Sequence, residues 1–169
     1  MAVKDGLILV GCLVAAWYGE RKVTMYPLEQ QWDQMDEVQA ATDVVARTIW
    51  GEARGEGEAG MRAVAAVITN RRRSSRWPND WRGVCLQPWQ FSCWNLGDPN
   101  RTLAVNVTLD NQAFQRAWSI AGDAVLGRLV DPTDGATHYH AKSIAAPYWT
   151  KGANKTASIG NHEFYGGVA

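Results

Sequence analysis

Apolar residues first dominate in 6-GLILVGCLVAAWYG-19, a stretch without a charge between Asp5 and Glu20. Coiled as a helix it reaches roughly 21 Å at about 1.5 Å per residue, short of a hydrocarbon core about 30 Å thick. Ala15, Ala16 and Trp17 form no A-x-A cleavage site, and only Lys4 marks a basic n-region. The pattern predicts an uncleaved, weakly held signal anchor over residues 1–24, seated in the inner membrane through residues 6–19. Beyond it the period becomes helical. In 27-PLEQQWDQMDEVQAA-41, Pro27 marks a helix start and Leu28, Trp32, Met35 and Val38 share one face, which predicts a linker helix within residues 25–42. In 43-DVVARTIWGEAR-54, read as a helix from Asp43, the stripe Val45, Thr48, Ile49, Ala53 predicts a buried face. A Gly-rich turn, 55-GEGEAG-60, leads to a second helix, 61-MRAVAAVITNRRR-73, and the two should form a hairpin. Residues 74–109 hold Pro and Gly breakers and no sustained period, so they read as ordered loop. A last helix over 111–129 takes Asp110 as its N-cap and turns Phe114, Trp118, Ala121, Val125 and Leu129 inward. The tail is turn-rich, with short strands expected at 136–140 and 162–166. The expected fold is mainly α with a small β element (α+β), one domain over residues 43–169.

Composition narrows the function. A chain of 169 residues with 46% hydrophobic content buries one sizeable core, and we expect a monomer. Lys and Arg number 17, as do Asp and Glu, so no basic excess exists to neutralise a phosphate backbone; nucleic acid is not an expected partner. Nine Trp is a high number for this length, and each indole serves either the core or a flat sugar face. Three cysteines, Cys12, Cys85 and Cys93, leave one odd. In an exported chain Cys85 and Cys93 can close a short disulfide. The run 9-LVGC-12 has the look of a lipoprotein box, yet the apolar residues continue past Cys12.

Glu52 falls on the apolar stripe of its helix. A carboxyl there loses hydration when charged, which raises its pKa and suits a general acid. Glycosidic cleavage needs such an acid, because the sugar oxygen leaves poorly unless it is protonated as the bond breaks. Glu56, one turn on, is a candidate second carboxylate, although Gly55 and Gly57 weaken the helix around it. The plain alternative is a solvated Glu at a frayed helix end.

Four separated motifs, 47-RTIWGEARGEGEAGMRAVAAVITNRR-72, 84-VCLQPWQFSCW-94, 131-DPTDGATHYHA-141 and 159-IGNHEFY-165, occur in order over residues 43–166. Together they resemble the SleB-type cell-wall hydrolase family, which includes spore-cortex-lytic enzymes and some phage endolysins. The resemblance implies a lysozyme-like, lytic transglycosylase-related single domain, with the Glu of G-E-A-R, Glu52, as catalytic acid. It also implies bacterial peptidoglycan as substrate, cleaved at the MurNAc-β-1,4-GlcNAc bond, and no cofactor. Two outcomes stay open: a transglycosylase giving 1,6-anhydro-muramic ends, or a muramidase in which water attacks. Cortex-specific members of the family often carry separate peptidoglycan-binding repeats, of which this sequence shows none, so cortex specificity is not expected; a short anchor before the catalytic domain instead resembles a signal-anchor endolysin, anchored in the inner membrane and then periplasmic.

The other motifs fit a glycan groove by chemistry. Trp89, Phe91 and Trp94 offer stacking faces, while Gln90, Ser92 and Asn95 offer hydrogen bonds to hydroxyl or N-acetyl groups. His138, Tyr139, Trp149 and His162 are further candidate substrate contacts. Packing of the same aromatics in the core is the competing reading. A zinc peptidase or amidase, with His138, His140 and His162 as ligands and Glu163 as base, is a rival without a defining spacing such as H-E-x-x-H, and no metal is expected. A non-catalytic wall-binding module would leave the placement of Glu52 unexplained.

Overall fold

The computed structural model describes residues 32–33 and 35–168. The expected anchor at 6–19, Cys12 and the start of the linker helix lie outside them. The first long helix, α1, runs Glu37–Ala53. Asp36 caps it by accepting from Gln39 N at 2.9 Å, and Glu37 adds an acidic first turn. The linker helix and the helix expected from Asp43 are thus one element. No break forms at Asp43 because its carboxylate turns inward, accepting from Trp32 Nε1 at 2.5 Å and Arg47 Nε at 2.7 Å, so it caps nothing. Arg47 Nη1 reaches on to the carbonyls of Ala104, Val105 and Val107, tying α1 to the end of a later helix. Val38, expected on the inward face, is exposed.

Helix α2, Gly57–Arg73, begins four residues before the expected Met61 and packs antiparallel-hairpin fashion through small residues: Ala63, Val64, Ala65 and Val67 are fully buried. The stretch expected as loop holds two short helices, α3 Trp81–Leu86 and α4 Pro99–Asn106, and a 3-10 turn at Ser92–Trp94. Asp80 and Asp98 cap the helices by accepting from Gly83 N and Asn100 N. Elements of this length are too short to display a 3.6-residue period, and the caps alone mark them. Helix α5 spans Gln112–Val125, four residues shorter than expected at its C-terminus, and its cap is Asn111, which accepts from Phe114 N, instead of Asp110.

The strands are β1 His138–Ala141, β2 Asn154–Ile159 and β3 His162–Gly166, antiparallel in the order β1-β3-β2. Strands β1 and β3 were legible; β2, with its bulge between Lys155 and Ala157 and its polar composition, was not. The main core gathers around α1, with Val45, Ile49, Met61, Val64 and Phe114 in it, and a smaller cluster of Ala63, Val67, Ala136 and Phe164 fixes the sheet against α2. Burying a ring such as Phe164 is worth about 2–3 kcal/mol. The arrangement is mainly helical with one small sheet, and it places the C-terminal end of α1 against the 92–94 turn and β1. Among the described residues, no helix is long and apolar enough to cross a membrane.

Cys85 and Cys93 are unpaired, and both are fully buried. The disulfide left open for an exported chain is not formed, and the two thiols lie at different positions along α1. Cys93 lies against Gly51, whereas Cys85 is beside Thr48. Burial pushes the Cys85 thiol up to about 12 and, followed by the Glu52 charge, holds the Cys93 thiol higher still.

Candidate active site

Glu52 lies in the last turn of α1. The stripe beneath it is closed, with Val45, Thr48 and Ile49 at no exposure, but Glu52 itself is half-buried at the rim. Three donors converge on its carboxylate. Cys93 N and Ser92 Oγ give to Oε1 at 2.9 Å and 3.2 Å, and the Tyr139 hydroxyl gives to Oε2 at 2.9 Å. The first two come from the 3-10 turn, which approaches α1 closely because Gly51 has no side chain. The third comes from β1. Burial, then the Glu52 charge and the hydrogen bond to it, hold the Tyr139 phenol well above its usual range, so it remains a donor. The carboxyl is thereby locked in one orientation, which a proton donor to a fixed bond requires.

β1 is positioned from below. Asn70 Nδ2 bridges Asp131 Oδ2 and Ala136 O, and Arg71 Nε donates to Thr137 O at 2.7 Å. Asp131 also accepts from Thr133 N, Thr133 Oγ1 and Gly135 N, which explains D-P-T-D-G as a turn that aims the strand.

A groove of about 630 Å³ opens beside Tyr139. Of the candidate contacts, Gln90, His138, Tyr139 and Trp149 line it, together with Arg71, Trp89, Tyr148 and Lys151. Trp89 and Tyr148 are 82% and 86% exposed, and Trp89 holds a left-handed φ of 66°, a conformation that costs a bulky residue about 1–3 kcal/mol and keeps its indole outward. His138 is pushed down to about 4 by burial and by the charges of Arg71 and Arg76, so it is neutral near pH 7. Its ring lies 5.3 Å from Trp149 and 5.7 Å from Trp77.

Other candidates fall elsewhere. Phe91 is 1% exposed, beneath Arg71 at 5.0 Å, and is a core residue with no face for a sugar. Trp94 packs on the core edge-to-face with Trp32 and donates to Thr48 Oγ1 at 2.9 Å, so its indole is occupied. His162 sits behind Tyr139, ring centroids 5.2 Å apart, away from the groove lining. Glu56 is engaged: Asn161 donates to it from the backbone at 2.8 Å and from Nδ2 at 3.1 Å. The zinc arrangement fails on register. Pairing of Ala141 with His162 and His140 with Glu163 puts His162 on the sheet face opposite His138 and His140. Among the described residues, no three His, Cys, Asp or Glu side chains are grouped to hold a metal. Arg71 and Lys151 were missed; Arg71 hides in 71-RRR-73, which reads as the solvated basic end of a helix.

The fold thus sets a single oriented carboxyl, Glu52, next to Tyr139, which lines a groove of polar and aromatic side chains. Residues 55–165 match the cell wall hydrolase family, a span that begins three residues after Glu52, and the chain belongs to that family. It is 34% identical over 123 residues to a spore cortex-lytic enzyme of Halalkalibacterium halodurans, covering 72% of this chain and 33% of the relative. A spore cortex-lytic enzyme of Bacillus subtilis is 32% identical, with 72% and 36% covered. The chain thus spans about a third of these relatives' length. The crystal structure of the catalytic domain of Bacillus cereus SleB superposes with a TM-score of 0.62 at 31% identity, over 76% of this chain and 91% of that one. The catalytic domain of the germination-specific lytic transglycosylase SleB from Bacillus anthracis gives 0.60 at 31% identity, over 75% and 93%.

Proposed function

We propose that this domain cleaves the MurNAc-β-1,4-GlcNAc bond of bacterial peptidoglycan as a lytic transglycosylase, with Glu52 as its acid. The observation that carries the reading is one half-buried carboxyl held by three donors beside a groove of polar and aromatic side chains. Glu52 protonates the glycosidic oxygen as its bond to the muramic anomeric carbon breaks. The positive charge developing there is met by the substrate's own N-acetyl oxygen and by groove dipoles. The muramic O6 then bonds to that carbon, its proton returns to the Glu52 carboxylate, and the 1,6-anhydro ring closes. Trp89, Tyr148 and Trp149 supply faces for sugars, and Gln90 a polar contact. A muramidase outcome, water replacing O6, would be helped by a second carboxylate; Glu56 is bound by Asn161, which favours the first outcome. From the sequence alone we further propose that residues 6–19 anchor the protein in the inner membrane before it acts in the periplasm.

Mass spectrometry of digested peptidoglycan decides the reaction. Anhydro-muropeptides are expected; reducing muramic ends would assign a muramidase, and released peptides would overturn both. Glu52→Gln should keep its melting temperature and lose about 10²–10⁴-fold in lysis rate, the scale of a general acid. Near-native lysis by that variant removes Glu52 from the mechanism.

A further inference from the structure

Arg71 is 4% exposed, yet no acidic group among the described residues forms an ion pair with it. Its Nε is satisfied by Thr137 O, its faces meet Phe91 at 5.0 Å and Trp77 at 5.7 Å, and its Nη1 has no hydrogen-bond partner at all. Burying a cation with an unfilled donor is costly, and side chains so placed are normally completed by an anion. Desolvation lowers the pKa of the guanidinium, opposed by Tyr139, Cys85 and, least, Glu52. Arg71 lines the groove, and Lys151 lines it too, exposed; no carboxylate is among the lining residues, and His138 there is neutral near pH 7. The groove therefore carries positive charge that no described lining residue neutralises.

A glycan of N-acetylhexosamines is neutral except on the 3-O side of muramic acid. That position carries a lactyl carboxylate when bare and a peptide stem with its own carboxylates when substituted. A planar guanidinium fork matches a carboxylate better than an ammonium does. We propose that Arg71, assisted by Lys151, forms a carboxylate subsite in the groove that recognises the 3-O side of muramic acid. This rests on the glycan reading of the groove. It gives the site a means to choose muramic acid over N-acetylglucosamine at that position, since the two differ there by the presence of the charged arm.

The test is binding by the full chain carrying Glu52→Gln, which prevents turnover. The probes are stem-bearing glycan strands, strands stripped of stems by an amidase so that lactyl carboxylates are bare, and both kinds after methyl esterification. Loss of a charge-assisted hydrogen bond predicts about ten-fold weaker binding of the esterified strand. A preference seen with stripped strands assigns the lactyl carboxylate, and one seen solely with stem-bearing strands assigns the stem. Adding Arg71→Met should abolish the preference, any loss from the missing Thr137 contact falling on free and esterified strands alike, and Arg71→Lys should restore part of it, a pattern that simple loosening of β1 would not give. Equal binding of free and esterified strands by the parent chain overturns the proposal without any Arg71 variant, as does a preference that survives Arg71→Met in a folded protein. If no strand binds in any form, the glycan reading fails with it; binding without a charge preference removes the subsite alone.

Discussion

A Cβ on Gly51 would stand 2.6 Å from Cys93 Cβ and 2.8 Å from its Sγ, distances real side chains do not tolerate. The glycine of G-E-A-R is therefore an approach residue: it lets the 92–94 turn close on α1 until Cys93 N reaches Glu52 at 2.9 Å. Gly51→Ala should destabilise the domain by about 1–3 kcal/mol, the usual scale of overpacking. It should also lower the lytic rate further than the lost stability explains, because the displaced turn takes two of the three donors with it. Measuring melting temperature and lysis rate together separates these effects; unchanged lysis in a destabilised variant would show that the turn does not orient the acid. At this scale the sequence was informative where chemistry is local. Glu52 stood out as a carboxyl on an apolar stripe, but the structure puts it at the rim, and its partners Ser92, Cys93 and Tyr139 are 40, 41 and 87 residues away, so their convergence has no local signature.

The β2–β3 hairpin is held to the start of α2 by Glu56, whose side chain receives both Asn161 donors, with His162 Nδ1 at 4.0 Å. Gly160, at φ 55°, makes the turn and leaves room for that carboxylate, since a Cβ there would lie 2.5 Å from Glu56 Oε2. The Asn161 backbone hydrogen bond, against some opposition from burial, holds the Glu56 carboxyl below its ordinary value of 4.5. A carboxyl lowered in the fold stabilises it above the unfolded value, and that contribution is lost as pH falls through the folded value. Glu56→Gln should thus cost about 1–2 kcal/mol at pH 7, about 3–8 °C in melting temperature, and the gap from the parent should narrow as pH falls below the ordinary carboxyl value. Lysis should persist within a few-fold. A variant as stable as the parent at pH 7 yet unable to lyse would instead make Glu56 the second carboxylate. Elements were legible in proportion to their length: α2 and α5 announced themselves by period, whereas α3 and α4 are 6 and 8 residues long. The join at Thr42 and Asp43 was misread because Asp is a common helix starter; what overrides it is tertiary, the buried Trp32 and Arg47 contacts to the same carboxylate.

For the molecule as a whole, the described residues form a domain with its own core, and the membrane anchor proposed for residues 6–19 lies outside them. That stretch contains Gly6, Gly11, Gly19, Ala15 and Ala16, so it offers much less apolar area than the roughly 20 residues of a permanent span, and its hold should be marginal. Marginal anchoring implies escape when the membrane potential collapses, which would carry Glu52 to the wall. Burial of Cys85 and Cys93 removes them as partners for Cys12, so release should proceed without thiol exchange. Fractionation before and after an uncoupler is expected to move full-length protein from the membrane to the periplasm. Replacing Gly11 and Gly19 by Leu adds apolar area without touching the domain, and should keep the protein in the membrane fraction and delay lysis while leaving the purified domain's activity on isolated peptidoglycan unchanged. An unaltered lysis time, or a chain found cleaved near Ala16 in every fraction, would replace the releasable anchor with an ordinary export signal.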